Sequence, residues 1–144
     1  MTGTLRGLAE RLENSAAKLD EQVSRLAVET ADAIVSDLVN VTPVDTSQAL
    51  SNWQVSIGSP VNGSIPPYVP GEGGSTQGLS ASAALAEARA MFKTKKPGQV
   101  IYISNVLRYI QRLNDGSSKQ APAGFVERAV LLGRRYLATA KLKR

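Results

Sequence analysis

The sequence predicts an α+β domain in which a long N-terminal helix packs with a small, mainly antiparallel sheet and two or three further helices. Three observations carry this prediction: leucines spaced by seven near the N-terminus, two short runs with strand patterning, and one long Gly/Pro-rich loop. A chain of 144 residues is long enough to bury a core and matches the size of one domain. We therefore expect residues 1–144 to form a single domain.

The first helix is predicted over residues 1–40. Leu5, Leu12, Leu19 and Leu26 recur every seven residues and form an apolar stripe, with Leu8 beside them, while the opposite face is charged. At 1.5 Å per residue this helix would be ~50 Å long, which exceeds the diameter of such a domain. Part of it is therefore expected to project or to break, with Asn14-Ser15 as the weakest point. Its first half is alternatively disordered until another subunit covers the leucines.

Thr42-Pro43 is expected to end this helix, because proline disfavours helical geometry at the residue before it. Asp45 is then a candidate N-cap for a short helical turn over residues 46–52. Trp53, Val55 and Ile57 alternate with polar residues, which predicts a half-buried strand. We expect the indole of Trp53 in the core with its N–H hydrogen-bonded.

Residues 58–80 change character, with six glycines, four prolines and four serines. A loop this long is usually functional or disordered. A phosphate-binding loop is excluded, because the G-x-x-x-x-G-K-[ST] pattern is missing and no apolar strand leads into it. The remaining predictions are simple disorder or an arm that reaches a neighbouring subunit, with Tyr68 and Val69 as its contacts.

Alanine-rich residues 82–93 predict a helix, and Val100–Ile103, apolar on both faces, predicts a central strand. Asn105 is the expected N-cap of a helix that carries Tyr109 and Leu113, and Gly116 is expected to end that helix in a left-handed conformation.

Pro122 suits the first turn of the last helix. The spacing of Phe125, Ala129, Leu132 and Tyr136 predicts that they line the buried face of that helix.

The composition limits the chemistry. Cysteine and histidine are both absent, which removes disulfides, thiolate nucleophiles, imidazole bases and nearly every zinc or copper site. No catalytic residue, metal ligand or cofactor is predicted, although a hydrolase working with a carboxylate pair stays open as a minor alternative. The N-terminus has no export-signal pattern, and no apolar run is long enough to span a membrane.

Charge is unevenly distributed. Residues 1–50 carry four basic and eight acidic side chains, whereas residues 124–144 carry six basic and one acidic. The basic end leaves three interpretations open: a solvated helix end, a contact with an acidic patch of an identical subunit, or nucleic-acid binding. The candidate DNA or partner contacts are Arg134, Arg135, Lys141 and Lys143.

Two stretches of the chain together resemble one protein family. They are Thr42-Pro43-Val44-Asp45-Thr46 followed by Ser51-Asn52-Trp53, and the run from Ile103-Ser104-Asn105 through Tyr109, Leu113, Gly116 and Gln120-Ala121-Pro122 to Gly124-Phe125. In order and spacing they resemble the tail-completion, or head–tail joining (neck), proteins of tailed bacteriophages. Two positions depart from the family pattern. Ser47 stands where glycine is usual, so the local turn is expected to differ, and Asn114 stands where an acidic residue is usual, so a salt bridge there is expected to shift or disappear.

The resemblance implies a structural virion protein, made in the cytoplasm of a bacterial host and needing no cofactor. It would form a homo-oligomeric ring, sixfold in the family, that completes the tail and joins it to the head while DNA passes through the lumen. The implied partners are further copies of the chain, a connector, adaptor or stopper ring, and tail-terminator or tail-tube proteins, with no membrane. The alternative function is a small basic nucleic-acid-binding protein that uses its C-terminal helix.

Within this hypothesis the predicted residues have two roles. A rigid structural hub is predicted from Pro43, Asp45, Trp53, Asn105, Tyr109, Leu113, Gly116, Pro122 and Phe125. Flexible parts around the hub are expected to make the assembly contacts, through Leu5, Leu8, Leu12, Tyr68 and Val69.

Overall fold

The computed structural model describes residues 4–140 and has the predicted α+β architecture. In chain order its elements are α1 (Leu5–Val41), α2 (Gln48–Ser51), β1 (Gln54–Ile57), α3 (Gln77–Phe92), β2 (Ile101–Ser104), α4 (Ile110–Asn114) and α5 (Phe125–Thr139). The strands pair antiparallel, with Gln54 opposite Ser104 and Ile57 opposite Ile101.

Helix α1 runs unbroken through Asn14-Ser15, so the predicted break there is wrong and the alternative, projection, holds. The side chain of Thr4 caps its first turn by accepting a hydrogen bond from the Gly7 amide, at 3.1 Å. The helix ends at Val41, with Thr42, the residue before Pro43, as its C-cap, so Thr42-Pro43 ends the helix as expected. Only its second half enters the core, through Ala31, Val35, Leu38 and Val39.

The core lies where the second half of α1 meets α3 and α5 and, on another side, the two strands. Helix α3 supplies small residues and Phe92, and α5 supplies Phe125 and Ala129, both fully buried. Gly133 is also buried, because the Ile34 side chain of α1 occupies the space that a Cβ there would need. Leu132 and Tyr136 are instead substantially exposed, so the predicted buried face of α5 is wrong in its second half.

Strand β2 differs from its prediction as a central strand. In the part of the chain that the structure describes, the sheet has two strands, so β2 has one partner and one open edge. Its apolar residues are all half-buried, because α1 lies against β2 without fully covering it. The double-sided apolar pattern therefore reflects packing against helices and not against further strands.

The segment between β1 and α3 folds back onto its own subunit. The side-chain nitrogen of Asn52 donates to the Ile65 carbonyl, and its side-chain oxygen accepts from the Ile65 amide. Helix α3 begins at Gln77, five residues before the predicted start, since Gly78 and Ser80 are tolerated within the helix. The Ser80 hydroxyl both accepts from the Val69 amide and donates to the Val69 carbonyl, each at 3.0 Å.

Candidate assembly surfaces

The two stretches that carry the family resemblance are in direct contact. The side-chain amide of Gln120 pairs with the backbone of Val44: it accepts from the Val44 amide at 2.8 Å and donates to the Val44 carbonyl at 3.0 Å. Because the two residues are 76 positions apart, this pair joins the end of α1 to the loop before α5. Gln120 was not predicted as part of the hub, and a glutamine in a polar loop gives no signal of such a partner.

Trp53 occupies the predicted place in the core, with its indole N–H hydrogen-bonded. It is 8% exposed, and Nε1 donates to the hydroxyl oxygen of Thr42 at 2.8 Å. The same hydroxyl donates to the Leu38 carbonyl in the last turn of α1. Thr42 therefore gives the buried indole its acceptor, while its own hydroxyl proton goes to a helix carbonyl that also accepts from the Thr42 amide. Pro43 is buried next to it.

Asn105 does not cap a helix, and this prediction is wrong. Its side-chain oxygen accepts from the Leu107 amide in a local turn, and its side-chain nitrogen donates to the Ala49 carbonyl at 3.0 Å. The following helix, α4, begins only at Ile110, so Tyr109 precedes it. Tyr109 is 37% exposed, and its hydroxyl donates to the side chain of Gln48 at 3.3 Å. Burial of part of the ring raises the pKa of Tyr109.

Gly116 ends α4 in the predicted left-handed conformation, with φ +97°. Leu113 packs partly buried against the core. Pro122 is three residues too early to lie in the first turn of α5, whose N-cap is Gly124 with φ +81°. Phe125 is fully buried.

Asn114 provides the side-chain hydrogen bond that Gly124, the N-cap of α5, cannot make. Its side-chain oxygen accepts from the Val126 amide at 2.9 Å, and its side-chain nitrogen donates to both carboxylate oxygens of Glu127 at 3.0 Å. At the position where the resemblance implies an acidic residue, an amide side chain therefore satisfies a free N–H of the α5 N-terminus. Sequence reasoning missed this role.

Asp45 does not cap α2, whose N-cap is Ser47 without a side-chain hydrogen bond. The carboxylate of Asp45 instead accepts from the Gly73 amide, and its carbonyl accepts from the Gly74 amide, both at 2.8 Å. Ser47 has φ +70°, a left-handed conformation that glycine adopts without strain, so serine here takes a backbone geometry that glycine would also favour.

The first half of α1 projects from the domain as an isolated helix. Every residue from Leu8 to Glu21 is exposed. We define the leucine stripe as Leu5 (85% exposed), Leu8 (46%), Leu12 (62%), Leu19 (49%) and Val23 (51%). Single exposed leucines are ordinary, but a row of them along one helix face is typical of an interaction surface.

An apolar groove of about 500 Å³ continues the leucine stripe toward the domain. Its floor is formed by Leu26, Ala27 and Ile34 of α1, and its wall by β2 and Leu137 of α5. Lys95 lies at its edge and donates a hydrogen bond to the Ser24 hydroxyl at 2.7 Å. Together the stripe and the groove form one apolar surface along α1.

Tyr68 and Val69 lie against their own subunit, not on a projecting arm. Tyr68 packs partly buried against the core, and its amide donates to the hydroxyl of Ser51 at 3.1 Å. Burial and, to a smaller extent, the charge of Glu87 raise the pKa of Tyr68. Both residues keep some exposed surface, so their contact with a neighbour stays a prediction.

The basic end of the chain is only partly described. Arg134 and Arg135 are exposed on α5, whereas Lys141 and Lys143 lie outside the described residues. The hydroxyl of Tyr136 donates to the Glu29 carboxylate at 2.9 Å, and this hydrogen bond raises the pKa of Tyr136. This bond joins α5 to α1 and holds the tyrosine against its own subunit.

Two features of the described residues bear on other functions. Between residues 4 and 140, the acidic side chains do not gather into a group of three or more that could hold a metal ion. No helix in that range is long and apolar enough to cross a membrane.

Comparison with known proteins adds no relative. A scan against family models, a search of curated proteins and a search of solved structures each found no match to this chain. The function of the chain is therefore inferred from its residues and their arrangement.

Proposed function

We propose that the chain is a structural protein of a tailed-phage virion. In this proposal identical subunits form a ring at the head–tail junction that completes the tail and joins it to the connector, with genomic DNA passing through the lumen. The two resembling stretches are its basis. The direct contact between them supports it, because the Gln120 side chain of one stretch bonds to the Val44 backbone of the other.

One observation carries the assembly part of this proposal: the projecting half of α1 presents an apolar face with no cover of its own. Isolated helices of this length are only marginally stable in water, and most helical stability comes from packing of an apolar face. Full burial of each large side chain of the leucine stripe would contribute about 1.5–3 kcal/mol. A helix with this pattern is therefore best explained by a partner that covers it in the assembled state.

The charge distribution supports contact between unlike ends of neighbouring subunits. The acidic first third of the chain and the basic last helix could meet across a head-to-tail interface, which closes into a ring when the rotation between subunits permits it. The connector and tail-tube partners follow only from the resemblance. Sixfold symmetry also follows only from the resemblance.

Particles provide the decisive test. Purified virions from a phage that encodes this chain should contain it by mass spectrometry, and immunolabelling should place it at the neck. Deletion of its gene should leave filled heads and separate tails, and the wild-type gene supplied in trans should restore joining. Leu8→Ser/Leu12→Ser should not restore it, whereas the matched polar-face change Asn14→Ser should. Absence of the chain from purified virions would refute the proposal.

The nucleic-acid alternative has one supporting observation, the exposure of Arg134 and Arg135 on α5. It predicts duplex binding that weakens steeply with salt and is lost in Arg134→Ala/Arg135→Ala. The control pair Lys93→Ala/Lys96→Ala removes the same charge elsewhere on the surface. Equal losses in the two variants would indicate attraction by net charge alone and would count against a site on α5.

A further inference from the structure

The leucine stripe has a seven-residue repeat over the projecting half of α1. Leu5, Leu12, Leu19 and Leu26 occupy one position of the repeat, and Leu8 lies three residues after the first of them. On one flank the next residues are small or apolar: Ala9, Ala16 and Val23. The apolar face of the projecting half of α1, which forms the seam of any contact, is therefore wider than the two positions per heptad of a two-stranded coiled coil. Such a width is found in helices that pack against more than one neighbour.

Two rows of opposite charge flank this seam. At about 100° per residue, Arg11 and Lys18 lie roughly 100° to one side of the leucines, and Glu13 and Asp20 lie about as far to the other side. Arg25 continues the basic row and contacts Glu29 of its own helix at 3.8 Å. In the described part of the chain, none of the three ion pairs involves the four residues nearest the leucines, which are Arg11, Lys18, Glu13 and Asp20. Their charges are therefore available to a partner.

Arg6 is the exception to this separation, since it lies on the acidic side. It contacts Glu10 of its own helix at 3.6 Å. This intrahelical pair compensates its charge, and the acidic row next to the seam is left with Glu13 and Asp20.

The two rows distinguish the possible orientations of a second copy. When two identical helices face each other in parallel, opposite flanks meet, so the basic row of one lies beside the acidic row of the other. When they face each other antiparallel, like flanks meet, and Arg11 and Lys18 would lie beside the same basic residues of the partner. Like charges at close range are unfavourable, so only the parallel arrangement is complementary.

We propose that copies of this chain associate in parallel and in register through the projecting half of α1, residues 5–23, with Leu5 beside Leu5 and Leu19 beside Leu19 of its neighbours. This inference rests on the ring assembly proposed above and specifies its contact: the long helices run side by side in one direction, and a basic flank meets an acidic flank at every contact. The exposed residues from Leu8 to Glu21 leave room for neighbours along this length.

Cysteine cross-linking of the full-length chain tests the orientation, because the chain contains no native cysteine. Leu5 and Leu19 are 14 residues apart, or about 21 Å along the helix, so a disulfide reports which ends are adjacent. Leu5→Cys alone and Leu19→Cys alone should each give disulfide dimers at high protein concentration. In a mixture of the two, one carrying a mass tag, the mixed dimer should be rare. Asn14→Cys, on the outer face of the same helix, is the matched control and should stay monomeric.

Charge exchange provides an independent test of the flanks. Arg11→Glu/Lys18→Glu should weaken self-association about tenfold, given the modest strength of exposed ion pairs. Adding Glu13→Lys/Asp20→Lys should restore it, because the two rows are then exchanged and remain complementary in parallel. Sedimentation would measure the association, and unchanged Trp53 fluorescence would show that the fold is intact.

The outcomes separate this inference from the proposed function. A dominant Leu5–Leu19 mixed disulfide, equal cross-linking by the Asn14 control, or no disulfide in either leucine variant would overturn the parallel contact. A chain found at the neck of virions would still support the ring function in each of those cases. Conversely, parallel disulfides in a chain missing from virions would refute the phage function and leave the self-association standing.

Discussion

Replacing Thr42 by valine tests the contact that joins α1 to the core tryptophan. The change keeps the shape of the side chain but removes the hydroxyl that accepts from Trp53 Nε1 at 2.8 Å and donates to the Leu38 carbonyl. Thr42 is 1% exposed and Trp53 is 8% exposed, so water cannot replace the lost partner of the indole. A buried donor left without an acceptor costs about 1–3 kcal/mol. For a chain of this size, that loss lowers the melting temperature by roughly 4 °C per kcal/mol.

The measurement is urea unfolding followed by fluorescence, for which Trp53 is the only tryptophan in the chain. Thr42→Ser keeps the hydroxyl and should lose only about 0.8 kcal/mol for one buried methyl group. Thr46→Val, an exposed threonine in the same segment, is the matched control and should stay within about 0.5 kcal/mol of the wild type. If Thr42→Val behaves like Thr46→Val and the tryptophan emission is unchanged, the assigned role of this hydroxyl is refuted.

Three further predictions use the same unfolding assay or a close relative of it. Gly116→Ala should lower the free energy of unfolding by about 1–2 kcal/mol, because φ is +97° and the new Cβ would lie 3.2 Å from a neighbouring side chain. Gly78→Ala, in the open part of α3, should raise it by up to about 1 kcal/mol. The reverse order of stabilities would contradict the left-handed backbone conformation assigned to Gly116. Gln120→Ala should cost about 1–2 kcal/mol and speed hydrogen exchange at the Val44 amide, and unchanged protection of that amide would show that the pair does not hold. Burial and the charge of Glu87 raise the pKa of Tyr68, so the stability that this raised pKa contributes is complete below the unfolded pKa of about 10 and is lost as pH rises through the folded pKa. Tyr68→Phe should therefore flatten the fall in stability above about pH 10. Equal slopes in the wild type and the variant would contradict this.

The parts of the fold that depend on local pattern could be predicted from the sequence. The leucine repeat predicted the length of α1, and that length predicted that part of the helix would project or break, since a domain of this size cannot cover it. The alternation around Val55 gave β1, and the conformational freedom of glycine gave the end of α4 at Gly116. In each case the signal lies within a few residues of its effect.

The wrong predictions at Asn105 and Leu132 share one physical cause, a distant partner that outweighs the local preference. Asn105 is a good cap by type, but the Ala49 carbonyl, 56 residues away, takes its side-chain nitrogen. On α5, the apolar Leu132 was expected inside, but Gly133 is the residue that permits close approach to Ile34. Neither Ala49 nor Ile34 is adjacent in sequence, so no local pattern could reveal either contact.

The Gly/Pro-rich segment shows the same limitation. Its composition predicts a loop, and residues 58–76 contain no helix or strand. Its attachment, however, comes from side chains of other elements, among them Asn52, Ser80 and Asp45, which bond to its backbone. Composition describes what such a segment cannot form by itself, but it contains no information about the polar groups that other parts of the fold provide.

Because α1 is continuous, its projecting end and the globular part of the subunit move together as one rigid arm. The same 37-residue helix carries exposed leucines at one end and core residues at the other, without a break between them. At 1.5 Å per residue it is about 55 Å long, so a tilt of the globular part by roughly 6° displaces the far end by about 6 Å, close to one helical turn. A contact at the tip that tolerates less than one turn of slippage would therefore fix the angle at which each globular part is held.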